Sequence, residues 1–292
     1  MKELVIISGK GGTGKTSITA SFVVLNAPVV TADCDVDAAN LHLVMKPEIL
    51  RKEEFISGNE AVIRTHDCVR CGRCRAVCRY DAIRYDQESR VYSVNPYGCE
   101  GCGVCVDHCP VSAIDFPARH CGASFLSETP YGPMVHAKLD AAGENSGKLV
   151  SLIRSRSKEE ASKRGYDIVI TDGPPGIGCP VIASVTGASL VLIVTEPTVS
   201  GMHDMIRVMD LTRHFKIKAL VSVNKWDLNP DMAKKIEESA ETYGVEKAGR
   251  IRYDKGVTTA MVEGRPVVLS ETPAADDIRA VWSVVEKHLK AD

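Results

Sequence analysis

Two groups of residues in this chain have types and spacing suited to chemistry. Near the start, SGKGGTGKTS fits the pattern G-x-x-x-x-G-K-[ST] with Gly9, Gly14, Lys15 and Thr16. Glycines in such a loop let backbone N–H groups wrap a phosphate, and a helix that begins there adds partial positive charge. The lysine reaches the outer phosphates and the hydroxyl meets magnesium. In the middle of the chain, CVRCGRCRAVC (68–78) and CEGCGVCVDHC (99–109) share the spacing C-x2-C-x2-C-x3-C. In that run the first three cysteines ligate one iron–sulfur cube and the fourth ligates the other. The expected partition is therefore crossed. Cys68, Cys71, Cys74 and Cys109 would hold one 4Fe–4S cluster, and Cys78, Cys99, Cys102 and Cys105 the second. Zinc is the alternative, but it calls for paired C-x2-C hooks across a longer spacer.

Composition limits the other readings. The chain has 292 residues, 44% hydrophobic and 25% charged, with a formal net charge of −2. These are values of a soluble globular protein, and the balance gives no reason to expect nucleic acid as partner. No apolar run approaches the ~18 residues of a membrane span. LVIIS is too short for the core of a signal peptide, so the expected place is the cytoplasm. Eleven cysteines in that compartment point to metal before disulfides.

The elements that must position these residues alternate. ELVIIS (3–8), APVVTAD (27–33), YDIVITD (166–172), SLVLIVTEP (189–197) and IKALVSVNK (217–225) read as buried strands, near-continuous in Val and Ile as parallel strands are. Residues 14–25, 147–164, 203–215, 230–243 and 274–289 read as helices, the second entered through Asn145 and Ser146 of GENSGK. Strand–helix alternation predicts an α/β fold with a mostly parallel, doubly wound sheet. From 62 to 117 the alternation stops. There CVRCGRCRAVCRYDAI matches CEGCGVCVDHCPVSAI at an interval of 31. This predicts a small two-fold α+β module of bacterial-ferredoxin type, inserted between residues 1–61 and 118–292 of the larger domain. Pro110 follows the last cysteine of the second run where Arg79 follows that of the first.

Strand C-terminal ends face the ligand crevice of such sheets. That puts Asp172, and Asp33 and Asp35 of TADCDVD, beside the phosphate loop. Carboxylates there can bind magnesium or orient an attacking water. VNKWD places Asn224, Lys225 and Asp227 in the N-K-x-D pattern by which GTPases read guanine.

GKGGTGKT carries a second lysine, Lys10. This form resembles the deviant Walker A superfamily of MinD, ParA, the Mrp-type iron–sulfur carriers and the nitrogenase iron protein, and in particular its MinD-like members with an inserted ferredoxin domain. The resemblance implies a Mg-dependent ATPase that works as a nucleotide-sandwich dimer, of one chain or with a paralogue. Lys10 would reach phosphates bound by the other subunit, and Gly11, Gly12, Thr13, Gly14, Lys15, Thr16 and Ser17 would cradle the chain's own. Thr16, Asp33 and Asp172 would surround magnesium and Asp35 would orient water. Asn224 would touch adenine, and Glu196 would contact nucleotide across the dimer. Cys179, in DGPPGIGC, sits at an offset like that of the cluster cysteine of the nitrogenase iron protein. With Cys121 it would hold a third cluster between subunits, unless each is a compact core residue; packing is the expectation for Cys34.

Together these features lead to an ATP-gated electron carrier, supplied by a ferredoxin-like donor and delivering to an unknown acceptor. An iron–sulfur scaffold or carrier of Mrp type, loading an apo-protein, is the second expectation. A MinD-like positioning protein is a third, for which AVWSVVEKHLKAD is a poor membrane-targeting helix because it is not basic enough.

Overall fold

The computed structural model describes residues 1–140, 143 and 145–291. They divide into two compact units: Met1–Glu53, Ser124–Lys138 and Ser146–Asp292 form the first, Glu54–Ala123 and Leu139–Asn145 the second. The strands Glu48–Asn59 and Ala118–Thr129 carry the chain from the first unit to the second and back.

A nine-stranded sheet organises the first unit. Its order is Glu246–Ile251, Ala219–Asn224, Leu190–Thr195, Lys2–Ser8, Ile168–Pro175, Val30–Asp33, Gly132–Leu139, Ala118–Thr129 and Glu48–Asn59. The first seven pair in parallel. Alternation on the central strand explains its two cores. Leu4 and Ile6 face a layer containing Phe22 and Trp282, whose ring centroids lie 4.9 Å apart. Val5 and Ile7 face one containing Val181, Met205 and Ile236. Burial on both faces is why this strand reads as a continuous apolar run.

The expected helices form with local caps. Thr198 accepts from Gly201 N–H ahead of Val199–His214, Asn229 from Met232 N–H ahead of Pro230–Thr242, and Thr272 from Ala275 N–H ahead of Pro273–Lys290. Each satisfies an N–H that the helix start leaves unpaired. Lys15–Leu25 begins after Gly14 at φ 90°, a left-handed conformation that favours glycine. Ser146–Arg164 opens at the serine of GENSG, whose Glu144 lies outside the described residues. Among the described residues no helix is long and apolar enough to cross a membrane.

Two corrections concern strands. Glu246–Ile251 was not expected, since EKAGRI has no apolar run or alternation. Ala118–Thr129 and Gly132–Leu139 were not expected either. Their residues mix polar and apolar types, and the turn at Pro130 and Tyr131 is held by Thr129, which bonds Gly132 O and Tyr131 N.

Between the strands Glu48–Asn59 and Ala118–Thr129, the described residues of the second unit form short pieces: the helices Arg73–Val77 and Val104–Asp107, and the strand pairs Val62–Ile63 with Ile114–Asp115 and Ile83–Asp86 with Val91–Val94. The two cysteine runs take the same backbone path. Gly72 and Gly103 have φ 76° and 77°, Asp81 and Ser112 φ 50° and 51°, Arg70 and Gly101 φ 58° and 61°. Ala61, Cys74, Ile83 and Ile114 form its core.

Candidate functional site

The phosphate loop leaves the strand Lys2–Ser8 and enters the helix Lys15–Leu25. Its shape is fixed from below. Asn224, at the end of a neighbouring strand, donates from Nδ2 to Thr13 O at 2.7 Å and accepts Lys225 N–H at 3.0 Å. A Cβ on Gly14 would lie 2.4 Å from Asn224 Nδ2, so this glycine and this asparagine require each other. Asn224 thus supports the loop, a task that the expectation of a base contact did not include.

Lys15 is buried, and Nζ stands 3.8 Å from Asp35 Oδ2. Thr16 donates to Asp172 Oδ2 and Thr19 to Asp172 Oδ1, each at 2.8 Å. Thr19 was missed in the sequence, although it lies one helical turn beyond Thr16 on the same face. Asp172 stands inside the strand Ile168–Pro175, not at its end. Its backbone carbonyl accepts Cys34 N–H at 2.8 Å, which sets the loop carrying Asp33 and Asp35 beside it. Cys34 is fully buried, a packing residue.

Asp33 is buried, with Oδ1 accepting Asp35 N–H at 3.2 Å and Oδ2 lacking any partner. Burial, and then the charge of Asp172, push its carboxyl well above the usual range. Burial also raises Asp172, against Lys15 and the two threonine bonds, and raises Asp35 against Lys15. Two buried carboxylates, one with an orphaned oxygen, and the Thr16 hydroxyl form a donor set that fits a hard divalent cation. Among the described residues no three His, Cys, Asp or Glu side chains converge on one ion. Magnesium is commonly held through one or two carboxylates plus substrate phosphates.

Lys10 turns away from the loop. Nζ lies 3.3 Å from Glu196 Oε2 and 3.4 Å from the hydroxyls of Thr198 and Ser200. Lys225 Nζ meets Glu196 Oε1 at 2.6 Å and Gly12 O at 3.3 Å. Asp227, the carboxylate of the guanine-type pattern, accepts Tyr253 N–H at 2.6 Å and thereby closes a loop.

A family model described as the CobQ/CobB/MinD/ParA nucleotide binding domain matches residues 4–267. The chain belongs to this family. It therefore contains a MinD/ParA-type ATPase nucleotide-binding domain. An uncharacterized protein of Methanocaldococcus jannaschii, MJ0578, is 35% identical over 230 residues, covering 78% of this chain and 79% of that protein. The septum site-determining protein MinD of Synechocystis is 24% identical, covering 92% of this chain and 82% of its own. The solved structure of MinD from Pyrococcus horikoshii, complexed with Mg-ADP, superimposes with a TM-score of 0.59 at 18% identity. It covers 99% of this chain and 98% of its own, a likeness of fold.

In the second unit the cysteines border two hollows. One is lined by Cys68, Cys71, Cys74 and Cys109, with Ile63, Ile114 and Tyr92 among its apolar walls. The other is lined by Cys78, Cys99, Cys102 and Cys105, with Ile83, Val94 and Phe116. None of the eight is in a disulfide bond. Each hollow thus takes three cysteines from one run and the fourth from the other.

The other two cysteines differ. Cys121 is buried and its thiol donates to Ser57 O at 3.2 Å, so in this conformation it does not face a second chain. Cys179 is exposed at the start of the helix Cys179–Val185.

Proposed function

We propose that the chain is an ATP-hydrolysing iron–sulfur protein that couples the nucleotide cycle of a sandwich dimer to electron transfer through two 4Fe–4S clusters, in a reducing cytoplasm. The observation that carries this reading is the crossed grouping of cysteines, Cys68, Cys71, Cys74 and Cys109 apart from Cys78, Cys99, Cys102 and Cys105, in a chain with a complete phosphate loop. When bound, such clusters supply one-electron chemistry.

The chain's own residues do the rest. Backbone N–H groups of Gly11 to Ser17 and Lys15 hold the phosphates of ATP. Thr16, Asp172 and the orphaned oxygen of Asp33 hold magnesium. Asp35 orients the attacking water, and Lys15 opposes the upward shift that burial gives its carboxyl. Lys10 leaves Glu196 to neutralise phosphates bound by the second subunit. Asn224 keeps the loop in shape. The loop of Asp33 and Asp35 precedes the strand Glu48–Asn59 that leads into the cysteine unit, so a nucleotide-dependent shift there has a covalent route to it. That is a two-state element biased by a ligand.

An anaerobic redox titration followed by EPR tests this reading without nucleotide, with MgADP and with a non-hydrolysable MgATP analogue, with iron counted per chain. The expected result is about eight tightly held irons and a midpoint that moves by tens of millivolts with nucleotide, where about 59 mV is a tenfold change for one electron. Potentials indifferent to nucleotide overturn the coupling.

A second reading, an ATP-dependent cluster scaffold of Mrp type, is favoured by the exposure of Cys179. It predicts iron beyond the eight, lost to an apo-acceptor only during ATP turnover.

A further inference from the structure

The internal repeat supplies its own control. Both halves of the cysteine unit follow one backbone path with the same cysteine spacing. Their charges are opposite. Residues 68–84 contain five arginines, Arg70, Arg73, Arg75, Arg79 and Arg84, against one carboxylate, Asp81. The matching residues 99–115 contain three carboxylates, Glu100, Asp107 and Asp115, and no lysine or arginine. At the interval of 31, the five arginines face Gly101, Val104, Val106, Pro110 and Asp115. The fold does not need them, because the sister half is built without any.

Their surroundings point the same way. All five are exposed, and among the described residues none makes an ion pair. Arg64, by contrast, is tied to Asp67, to Asp115 and to Ser112 O and serves the structure; it does not belong with the free group. Arg70 sits at φ 58° where the sister half has Gly101 at φ 61°. A side chain there works against the steric preference of the backbone. Arg73 lines the hollow of Cys68, Cys71, Cys74 and Cys109 together with Val69 and Val111, which are 59% and 43% exposed.

We infer that this arginine-rich face is the docking surface for an acidic electron-carrier protein, making the Cys68 half the port by which electrons enter. The inference rests on the proposed function. Exposed valines at the mouth of the hollow with arginines around them have the make-up of a protein interface, an apolar centre in a charged surround. A bare phosphate-binding surface would need only the charges. The step is a one-electron transfer: the carrier is oxidised by one electron, the chain is reduced by one, and no bond forms or breaks. The arginines steer the encounter and hold the carrier's carboxylates. The acidic half does not compete for the same partner.

The test exchanges the arginines for their sister residues. A holoprotein with Arg70→Gly and Arg75→Val is compared with wild type, and a Glu100→Lys, Asp107→Lys protein serves as control. Iron is counted first. Binding of a small, acidic, oxidised dicluster ferredoxin is measured by titration at several salt concentrations. Reduction by the same ferredoxin, pre-reduced, is followed by stopped flow beside reduction by a small uncharged donor. We expect full iron content, affinity and ferredoxin-driven rate lowered about tenfold or more with a flatter salt dependence, and an unchanged rate with the small donor. The control protein keeps or improves its affinity. Full iron with unchanged ferredoxin binding and rate overturns the docking face and leaves the proposed function standing. Wild-type protein without iron overturns that function and the docking face with it. Binding of anionic vesicles or an oligonucleotide, lost in the arginine variant, with no ferredoxin binding, overturns the choice of partner.

Discussion

Lys10 and Glu196 form an ion pair, with Nζ 3.3 Å from Oε2, and Lys225 shares the same carboxylate. Lys10 is therefore paired within its own chain. Phosphates must compete with Glu196 for two lysines. Glu196→Gln removes the competitor, and we expect it to tighten MgADP binding about three- to tenfold, the equivalent of roughly 1 kcal/mol for a partly exposed pair. Titration with a fluorescent ADP analogue checks this. Unchanged or weaker affinity would show that Glu196 helps the nucleotide and does not hold the lysine back.

Asp33 is destabilising without a cation. Its folded-state pKa is raised by burial and by Asp172, so the folded chain favours the protonated form. The stability it contributes is complete below the unfolded value near 4 and is lost as pH rises through the raised folded value. At neutral pH Asp33→Asn escapes that loss. We expect the variant to melt higher than wild type at pH 8 in EDTA, with the gap closing toward pH 4. The same variant should lose the magnesium dependence of nucleotide binding. A variant that melts lower at pH 8 would mean the carboxylate is paired in a way the fold does not reveal.

The phosphate loop was legible because its signal is contiguous, one glycine-rich stretch between an apolar strand and a helix. The ties that complete the site were not. Glu196 meets Lys10, and Asn224 meets Thr13, only because the strand order brings distant segments together. No local pattern encodes strand order. In the same way, Glu246–Ile251 forms a strand through pairing with Ala219–Asn224, although its own residues lack the apolar run. The cysteine hollows fall between these cases. Their spacing is local, but which hollow each run's fourth cysteine borders depends on how the two runs fold together.

Asn224 and Asp227 look like a guanine reader and are bonded otherwise. Asn224 props Thr13 O and Asp227 caps Tyr253 N–H. Asn224→Ala should weaken ATP and GTP alike, by about five- to thirtyfold for a lost buried hydrogen bond of ~1–2 kcal/mol. Asp227→Ala should leave the ratio of ATP to GTP affinity unchanged. Competition between the two nucleotides for each variant measures this. Selective loss of GTP binding in Asp227→Ala would restore the guanine reading.

His136 gives the first unit a pH dependence independent of nucleotide. It stacks on Phe125 with centroids 5.0 Å apart and bonds Ser127 Oγ at 2.9 Å. Burial lowers its pKa from 6.5 to about 4. Between these values the unfolded chain binds more protons, so stability falls as pH drops through that window. The loss amounts to about 2 kcal/mol after allowance for partial exposure. Urea denaturation of His136→Gln should show a flatter slope from pH 6.5 to 4.5 than wild type. An identical slope would assign the acid sensitivity elsewhere.

The crossed cysteine grouping makes a prediction that pairs of substitutions can read. Cys109 borders the hollow of Cys68, Cys71 and Cys74, although it lies in the other run. Under the proposed function, Cys109→Ser and Cys68→Ser damage one cluster, so the double variant should keep about four irons of eight, like either single variant. Cys109→Ser with Cys102→Ser damages both, since Cys102 borders the second hollow, and should keep almost none. A partition by run would reverse the two results: Cys109 and Cys102 would fall together, and Cys109 and Cys68 would be additive. Iron analysis with EPR of the remaining cluster separates the outcomes, because loss at independent sites adds and loss at a shared site does not.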